Sequence, residues 1–386
     1  MGTRTLARNL IFCFDGTSNS PKDAVQDLSR RGELEDDSIT NVLKLHLMMG
    51  GDLKNRPLDG TQHSFYYRGV GTYGGGMRRL INRVFAPEKQ DVGSIIRTAC
   101  ADLKRHYQPG DRVFLFGFSR GAAIARRFAT VARERTGIAA PPGTHLFRYL
   151  AAFDTVASLG QPNLNRSRKP KTTVLFENRT ISPDIRHALH LLSIDERRVP
   201  FMPTLMNRDR RVTEVWMPGV HSDVGGGFRL DGLSDLALEV VLNDLRQRRT
   251  GLTLLSPASL DYDWLRAAGD RRLIEPDDMA LNPDPAAPAH PVTRLRGFLR
   301  KQVLTDRWMR VIFDDKPLPG GQPLVHHSVR ERVHRVAGYR PRPLSVCRFG
   351  VLEADGSITH GVTLNDLAES APKAAQSGGQ TRPEGF

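Results

Sequence analysis

The chain has 386 residues, of which 39% are hydrophobic and 25% are charged, a composition typical of a globular protein. No apolar stretch is long enough for a signal peptide or a membrane span. We therefore expect a protein that is synthesised in the cytoplasm, and we leave non-classical export open. The formal net charge of +14 favours anionic partners, phospholipid headgroups before nucleic acid, although an arginine-rich surface that merely faces water is an equal alternative. Three widely spaced cysteines without a C-x-x-C pair suggest neither a disulfide framework nor a zinc site, and we predict no metal site.

The first predicted strand, Leu10 to Phe14, ends at the turn Asp15-Gly16-Thr17. A strand followed by D-G-T also suggests a phosphatase of the haloacid dehalogenase type. In that group a nucleophilic aspartate precedes the turn, and here the position is Cys13, which excludes this function. The run Gly69 to Gly74 matches G-x-G-x-x-G, but a well-formed helix does not follow it at once. We therefore favour a glycine loop beside an active site over a dinucleotide site.

The most informative stretch is Arg112 to Arg135, where the short apolar run Val113 to Phe116 precedes an alanine- and arginine-rich helical pattern. Between them lies a G-x-S-x-G pentapeptide. In a strand–turn–helix context this motif presents the serine hydroxyl at the carboxyl edge of a sheet. Ser119 is therefore the predicted nucleophile. Arg120 begins the helix, and its backbone N–H is predicted to face the oxyanion of a tetrahedral intermediate.

Two acidic residues are candidates for the acid that orients a catalytic histidine. Asp154 follows the predicted strand Leu146 to Phe153, the place of a triad acid at the carboxyl end of a sheet. Asp195 is the alternative. It follows His187 to Ile194, which we interpret as helical, and it therefore ranks below Asp154.

The predicted general base is His221, in the glycine-bounded stretch that follows the predicted strand Val212 to Met217. A histidine on a loop just beyond a strand can reach across the sheet edge to a serine hydroxyl. The order Ser, Asp, His is also that of α/β-hydrolases. Asp223 could bind a cation or brace the glycine loop, and the sequence leaves both roles open.

Five motifs in fixed order carry a family resemblance: F-D-G-T-S-N near the start, then G-V-G-T, G-F-S-R-G-A, F-D-T-V-A-S and P-G-V-H-S-D-V-G-G-G. Together they resemble the DUF2235 family, an α/β-hydrolase group that includes the catalytic domain of Tle1-class phospholipase effectors of type VI secretion. The resemblance spans roughly residues 8 to 250. It implies an α/β-hydrolase-like fold with a mostly parallel central sheet and helices on both faces. The triad that it implies falls on Ser119, Asp154 and His221.

The predicted function is a serine-dependent carboxylic-ester hydrolase that acts through an acyl-enzyme on phospholipid or other lipid esters, and it requires no cofactor. The oxyanion would be held by the N–H groups of Arg120 and Gly16. Asp15, Thr17 and Asp223 are candidates for a loop that contacts the substrate. The alternatives are an esterase or thioesterase with a soluble substrate and a degenerate, basic polyanion-binding module. The expected partners are an ester substrate and an anionic membrane surface, and the oligomeric state is left undetermined.

We expect an α/β-hydrolase domain over residues 1–345, with a core at 8–250 and a less regular elaboration at 251–345. A C-terminal segment, 346–386, is predicted to end in a disordered tail.

Overall fold

The computed structural model describes residues 7–16, 38–57, 60–69, 89–157, 179–267, 274–290 and 304–370. The strands in these ranges are β1 Asn9–Phe14, β2 Gln62–Tyr67, β3 Arg112–Phe118, β4 Phe147–Phe153, β5 Ala188–Ser193, β6 Val212–Met217, β7 Ile312–Phe313, β8 Lys316–Pro317, β9 Leu324–His326, β10 Phe349–Leu352 and β11 Ile358–Val362. The helices are α1 Asn41–Met48, α2 Lys89–His106, α3 Arg120–Thr136, α4 His221–Gly225, α5 Gly232–Gln247, α6 Tyr262–Ala267, α7 Pro276–Met279, α8 His327–Arg335, α9 Arg342–Ser345 and α10 Leu364–Glu369. None of these helices is both long and apolar enough to span a membrane.

A single sheet organises the chain, with strand order β11-β10-β9-β6-β5-β4-β3-β1-β2. Neighbouring strands from β2 to β10 pair in parallel, and β11 pairs antiparallel with β10. β7 and β8 form a separate hairpin. This arrangement confirms the predicted α/β-hydrolase-like fold with a mostly parallel sheet.

Both faces of the sheet are covered, because successive side chains of each central strand point to opposite sides. Leu10 and Phe12 of β1 belong to one apolar cluster, together with residues of α2 and α3. Ile11 and Cys13 of the same strand belong to a second cluster, which residues of α1 and α5 complete. All four side chains are buried, and each such burial stabilises the fold by about 1–3 kcal/mol.

The structure corrects the sequence interpretation of His187 to Ile194, which was expected to be helical. Residues 188–193 form strand β5, in register with β4 on one side and β6 on the other. Every residue of β5 is buried, so the strand lacks the alternation of polar and apolar residues by which a half-exposed strand is recognised. Asp195 therefore follows a strand, and the reason for ranking it below Asp154 was wrong.

The sheet continues past residue 345, where the sequence placed the end of the hydrolase domain. β10 pairs with β9 in parallel, and β11 closes this edge. Apolar residues of β10, β11 and α10 share one buried cluster with Trp216 of β6. The residues between 346 and 370 are thus part of the same sheet and core. The predicted disordered tail lies largely outside the described residues.

The strand order also marks one place on the sheet edge. β1 lies between β2 and β3, so the strand that follows β1 in the chain is added on one side of it and the next strand on the other side. In open parallel sheets, ligands bind beyond the carboxyl ends of the strands at such a reversal. Asp15 follows β1 at this point and Ser119 follows β3.

Candidate active site

Ser119 lies in a sharp turn between β3 and α3. Its φ is 55° and its ψ is −121°, a conformation that costs a non-glycine residue about 1–3 kcal/mol. Two backbone hydrogen bonds hold the turn, from Ser119 N to Phe153 O at 2.9 Å and from Val156 N to Ser119 O at 3.1 Å. The turn after β3 is therefore hydrogen-bonded to the end of β4. This is the strained strand-to-helix turn that the G-x-S-x-G pattern predicts.

Gly121 allows the close approach of two chain segments at this turn. A Cβ at position 121 would lie 2.1 Å from the carbonyl oxygen of Phe14 and 2.4 Å from that of Asp15. Backbone atoms cannot move aside as a flexible side chain can. Gly121, two residues after the serine, thus lets the end of β1 pack directly against the start of α3.

We expect Gly121→Ala to lower the free energy of unfolding by about 3 kcal/mol through this overpacking. Gly93→Ala is a matched control, since Gly93 also lies in a helix and its added Cβ would meet only the end of the Arg97 side chain, at 3.3 Å. That variant is expected to gain up to about 1 kcal/mol from helix propensity. Chemical denaturation of both variants measures the difference, and equal stabilities would contradict the packing argument.

Asp154 directly follows β4 and is fully buried. Its φ of 43° is again unusual for a residue other than glycine. The backbone around it is fixed by hydrogen bonds from Asp154 N to Leu191 O at 2.7 Å and from Thr155 N to His190 Nε2 at 3.1 Å. The Nδ1 of His190 in turn binds Glu214 Oε2 at 2.8 Å. The backbone at Asp154 is thus fixed by strand β5, whose His190 is held in turn by Glu214 of β6.

His221 meets this carboxylate across the sheet edge. Its Nδ1 lies 2.5 Å from Asp154 Oδ2, and the imidazole packs between the rings of Phe118 and Phe201, at centroid distances of 4.7 and 4.8 Å. Phe118 directly precedes Ser119. His221 is the first residue of the short helix α4, where the sequence analysis expected a loop. Within the described part of the chain, no hydrogen bond joins the Ser119 hydroxyl to His221; in serine hydrolases this contact often tightens only with substrate.

Electrostatics differ for the two paired groups. Burial alone would raise the pKa of Asp154, but the guanidinium of Arg307 and the hydrogen bond from His221 outweigh it and hold this pKa well below its usual range. Burial, together with a smaller contribution from Arg307, lowers the pKa of His221 by more than Asp154 and Glu196 raise it. The arrangement therefore favours an ionised aspartate beside a neutral imidazole, the state that a general base requires.

Asp195, the alternative acid, makes contacts of another kind. Its Oδ2 accepts hydrogen bonds from Gly219 N at 2.7 Å and from the Tyr339 hydroxyl at 2.9 Å. Burial raises the pKa of Asp195 to about 6, despite these two hydrogen bonds. The residue thus braces the turn before His221 and does not contact the imidazole.

Glu196 supports the histidine from its backbone side. Its Oε2 accepts a hydrogen bond from His221 N at 3.3 Å, and its two oxygens also bind the guanidinium of Arg198 at 2.6–2.8 Å. The Arg198 guanidinium stacks 4.0 Å from the ring centre of Phe201, which itself contacts His221. The charged cluster that follows β5 therefore positions the histidine and its aromatic neighbour.

The predicted oxyanion donors differ in their surroundings. Arg120 is the first residue of α3, directly after the serine, as expected. The N–H of Gly16 instead donates to its neighbour's carboxylate, Asp15 Oδ1, at 2.6 Å. Asp15 Oδ2 accepts hydrogen bonds from the hydroxyls of Thr40 and Tyr66. Asp15 is thus a buried brace, the donor assigned to Gly16 already has an acceptor, and Thr17 lies outside the described residues.

Asp223 also braces the chain. Its Oδ2 accepts a hydrogen bond from Val220 N at 2.8 Å, and its Oδ1 lies 2.6 Å from His290 Nδ1. Of the two roles that the sequence left open, these contacts favour the bracing of the glycine loop. In the part of the chain that the structure covers, no three His, Cys, Asp or Glu residues are grouped so that they could hold a metal ion.

The sequence analysis missed Arg307. The Arg307 guanidinium binds both oxygens of Asp154, from Nη1 to Oδ1 at 2.6 Å and from Nη2 to Oδ2 at 2.8 Å, and its side chain is fully buried. It lies in an irregular segment far along the chain from Asp154, without a motif that could have indicated it.

A family model and a curated relative match parts of the chain. A family model described as the catalytic domain of Tle1-like phospholipase effectors of type VI secretion matches residues 8–149 and 142–244. Over 145 residues the chain is 31% identical to the uncharacterized protein YEL023C of Saccharomyces cerevisiae, and the match covers 34% of this chain and 18% of the yeast protein.

Two solved structures are similar at lower identity. An uncharacterized protein from Pseudomonas aeruginosa is 19% identical with a TM-score of 0.41, over 68% of this chain and 48% of that one. The Tle1 effector, solved bound to the VgrG spike of the type VI secretion system, is 22% identical with a TM-score of 0.36, over 59% and 52% of the two chains. The chain thus spans about half the length of these structures.

Proposed function

The chain belongs to the family of Tle1-like catalytic domains of type VI secretion phospholipase effectors, and from this premise we propose that it is a serine hydrolase that cleaves the carboxylic esters of phospholipids. The observation that carries the proposal is the hydrogen bond between His221 and Asp154, at the edge of the sheet where Ser119 directly follows β3. The buried, neutral imidazole that this environment favours supports the role of His221 as a base.

The proposed reaction has two halves. First, Nε2 of His221 accepts the hydroxyl proton of Ser119 as Oγ attacks the ester carbonyl carbon, and the imidazolium then gives this proton to the departing alcohol. Asp154 fixes the tautomer through Nδ1–H and stabilises the imidazolium charge. The N–H of Arg120 and the amino end of α3 stabilise the oxyanion. In the second half, a water molecule deprotonated by His221 attacks the acyl-enzyme, which releases the fatty acid and restores Ser119.

The proposed substrate class rests on two observations. The family is described by its phospholipase effectors. The formal net charge of +14 would concentrate the protein at an anionic lipid surface, an attraction that salt weakens. A lipid ester at such a surface therefore suits this chain better than a small, freely dissolved ester.

We expect the purified protein to release fatty acid and lysolipid from vesicles of phosphatidylglycerol and phosphatidylethanolamine. The rate should fall as salt rises from about 0.05 to 0.5 M, because screening weakens attraction to the anionic surface. Mass spectrometry of the lipid products measures both effects. A soluble p-nitrophenyl ester is the control, because its hydrolysis should depend little on salt. Cleavage of the soluble ester with no product from vesicles would contradict the phospholipid assignment and leave a soluble esterase.

A further inference from the structure

Arg307 binds both oxygens of the Asp154 carboxylate, including Oδ2, which also contacts His221. The two residues make a bidentate pair, with N–O distances of 2.6 and 2.8 Å. Such a planar pairing fixes the orientation of a carboxylate as well as its charge. The carboxylate also accepts a hydrogen bond from Ser193 N, at 3.1 Å from Oδ1. Its plane is therefore set by groups other than the histidine.

The same guanidinium joins two further segments of the site. Nη1 donates to Ser193 O at 2.9 Å, at the end of β5, and Nη2 donates to Phe201 O at 2.5 Å. Phe201 contacts the imidazole of His221 edge to face. The buried side chain of Arg307 thus binds the carboxylate of Asp154 directly. It also binds the backbone carbonyl of Phe201, whose ring packs against His221.

We infer that Arg307 is a positioning residue of the catalytic triad, which orients the carboxylate of Asp154 and thereby the imidazole of His221. This inference rests on the proposed function. Arg307 lies outside residues 8–149 and 142–244, which match the family model. It acts through Asp154, since nothing in its contacts brings it to the serine or the oxyanion position.

The charges around His221 give the inference a measurable consequence. The charged groups with the largest influence on the imidazole are Asp154 from the end of β4, Glu196 from the segment after β5, and Arg307 from the segment before β7. Burial lowers the pKa of His221, the two carboxylates raise it, and Arg307 lowers it again. If the positive charge is removed, the pKa of His221 rises. More of the base is then protonated at a given pH, and the acid limb of the activity profile moves to higher pH.

A buried ion pair can also serve the fold alone, and the chain offers a matched control for that role. Arg330 binds both oxygens of Glu353, each at 2.8 Å, and both side chains are largely buried. This pair joins α8 to the segment after β10, away from the triad. Substitutions at Arg330 report the cost of breaking a bidentate pair in this protein without touching Asp154.

The experiment compares Arg307→Gln and Arg307→Lys with Arg330→Gln and Arg330→Lys in the full chain. Soluble-ester hydrolysis is measured as kcat and KM against pH, and active sites are counted by prolonged labelling with a fluorophosphonate. For Arg307→Gln we expect kcat per labelled site to fall about 100-fold, the cost of a misplaced catalytic group, with the acid limb shifted to higher pH. Arg307→Lys keeps the positive charge but loses the planar pair of N–H donors that binds both carboxylate oxygens. It should lose about 10-fold in kcat at nearly unchanged KM, with the acid limb close to that of the wild type.

The Arg330 variants should keep the wild-type kcat per labelled site and the wild-type pH profile. If Arg307→Gln does not fold, Arg307→Lys decides alone. An Arg307 variant with the turnover and pH profile of its Arg330 counterpart overturns the inference and leaves Arg307 a structural residue. Absence of fluorophosphonate labelling in the wild type would instead contradict the proposed hydrolase.

Discussion

Replacement of Ser119 by alanine is expected to lower kcat/KM for ester hydrolysis by about 10⁶-fold, the loss seen when the nucleophile of a triad is removed. The physical reason is that His221 and Asp154 can only activate a hydroxyl that is present. The fold should be retained, because the hydrogen bonds of Ser119 with Phe153 and Val156 involve its backbone atoms alone. Initial rates on a p-nitrophenyl ester and thermal melting measure the two properties.

Ser222 provides the control for this substitution. It is a buried serine directly beside His221, and its backbone oxygen accepts a hydrogen bond from Gly226 N. Ser222→Ala should therefore retain activity close to that of the wild type. If Ser222→Ala is the inactive variant and Ser119→Ala keeps its activity, the assignment of the nucleophile is wrong.

The second large effect is expected for Asp154→Asn, with a loss of about 10⁴-fold in kcat. An asparagine cannot hold the imidazole tautomer that leaves Nε2 free to accept a proton. It also leaves Arg307 without its carboxylate, and breaking a buried pair of this kind costs about 3–5 kcal/mol of stability. Activity must therefore be expressed per folded molecule, with the folded fraction measured by circular dichroism.

Asp195→Asn is the matched control, because Asp195 was the competing acid in the sequence. Both of its hydrogen bonds end on Oδ2, which the amide oxygen of asparagine can replace. We expect this variant to keep most of the wild-type activity. If Asp195→Asn loses about 10⁴-fold in kcat and Asp154→Asn stays active, Asp195 and not Asp154 is the acid of the triad.

The sequence was most informative where structure is determined locally. The apolar run of β3, the glycines around Ser119 and the helical pattern after Arg120 are consecutive, so each element can be predicted from its own residues. The order of the five motifs added the family and, with it, the fold. Within that fold, the three predicted triad residues all follow strands at the same edge of the sheet.

Where the sequence analysis was wrong or silent, the information lay in long-range packing for β5 and Arg307 and in one local contact for Gly16. The run over β5 is buried on both faces, so its apolar spacing could not distinguish a strand from a helix. Gly16 lies in the expected turn, but its N–H is bound by Asp15, a local detail that the pattern does not contain. Arg307 reaches Asp154 across 153 residues of chain, and one arginine among many carries no sign of such a contact.

The most direct test of the proposed mechanism is the reaction of the wild-type protein with a fluorophosphonate, followed by peptide mapping with mass spectrometry. The probe phosphonylates a serine hydroxyl that a neighbouring base has activated. We predict a single adduct, on the peptide that contains Ser119, and no adduct in Ser119→Ala. An unmodified Ser119, or an adduct on another serine of the folded protein, would contradict the convergence of Ser119, His221 and Asp154 on one site.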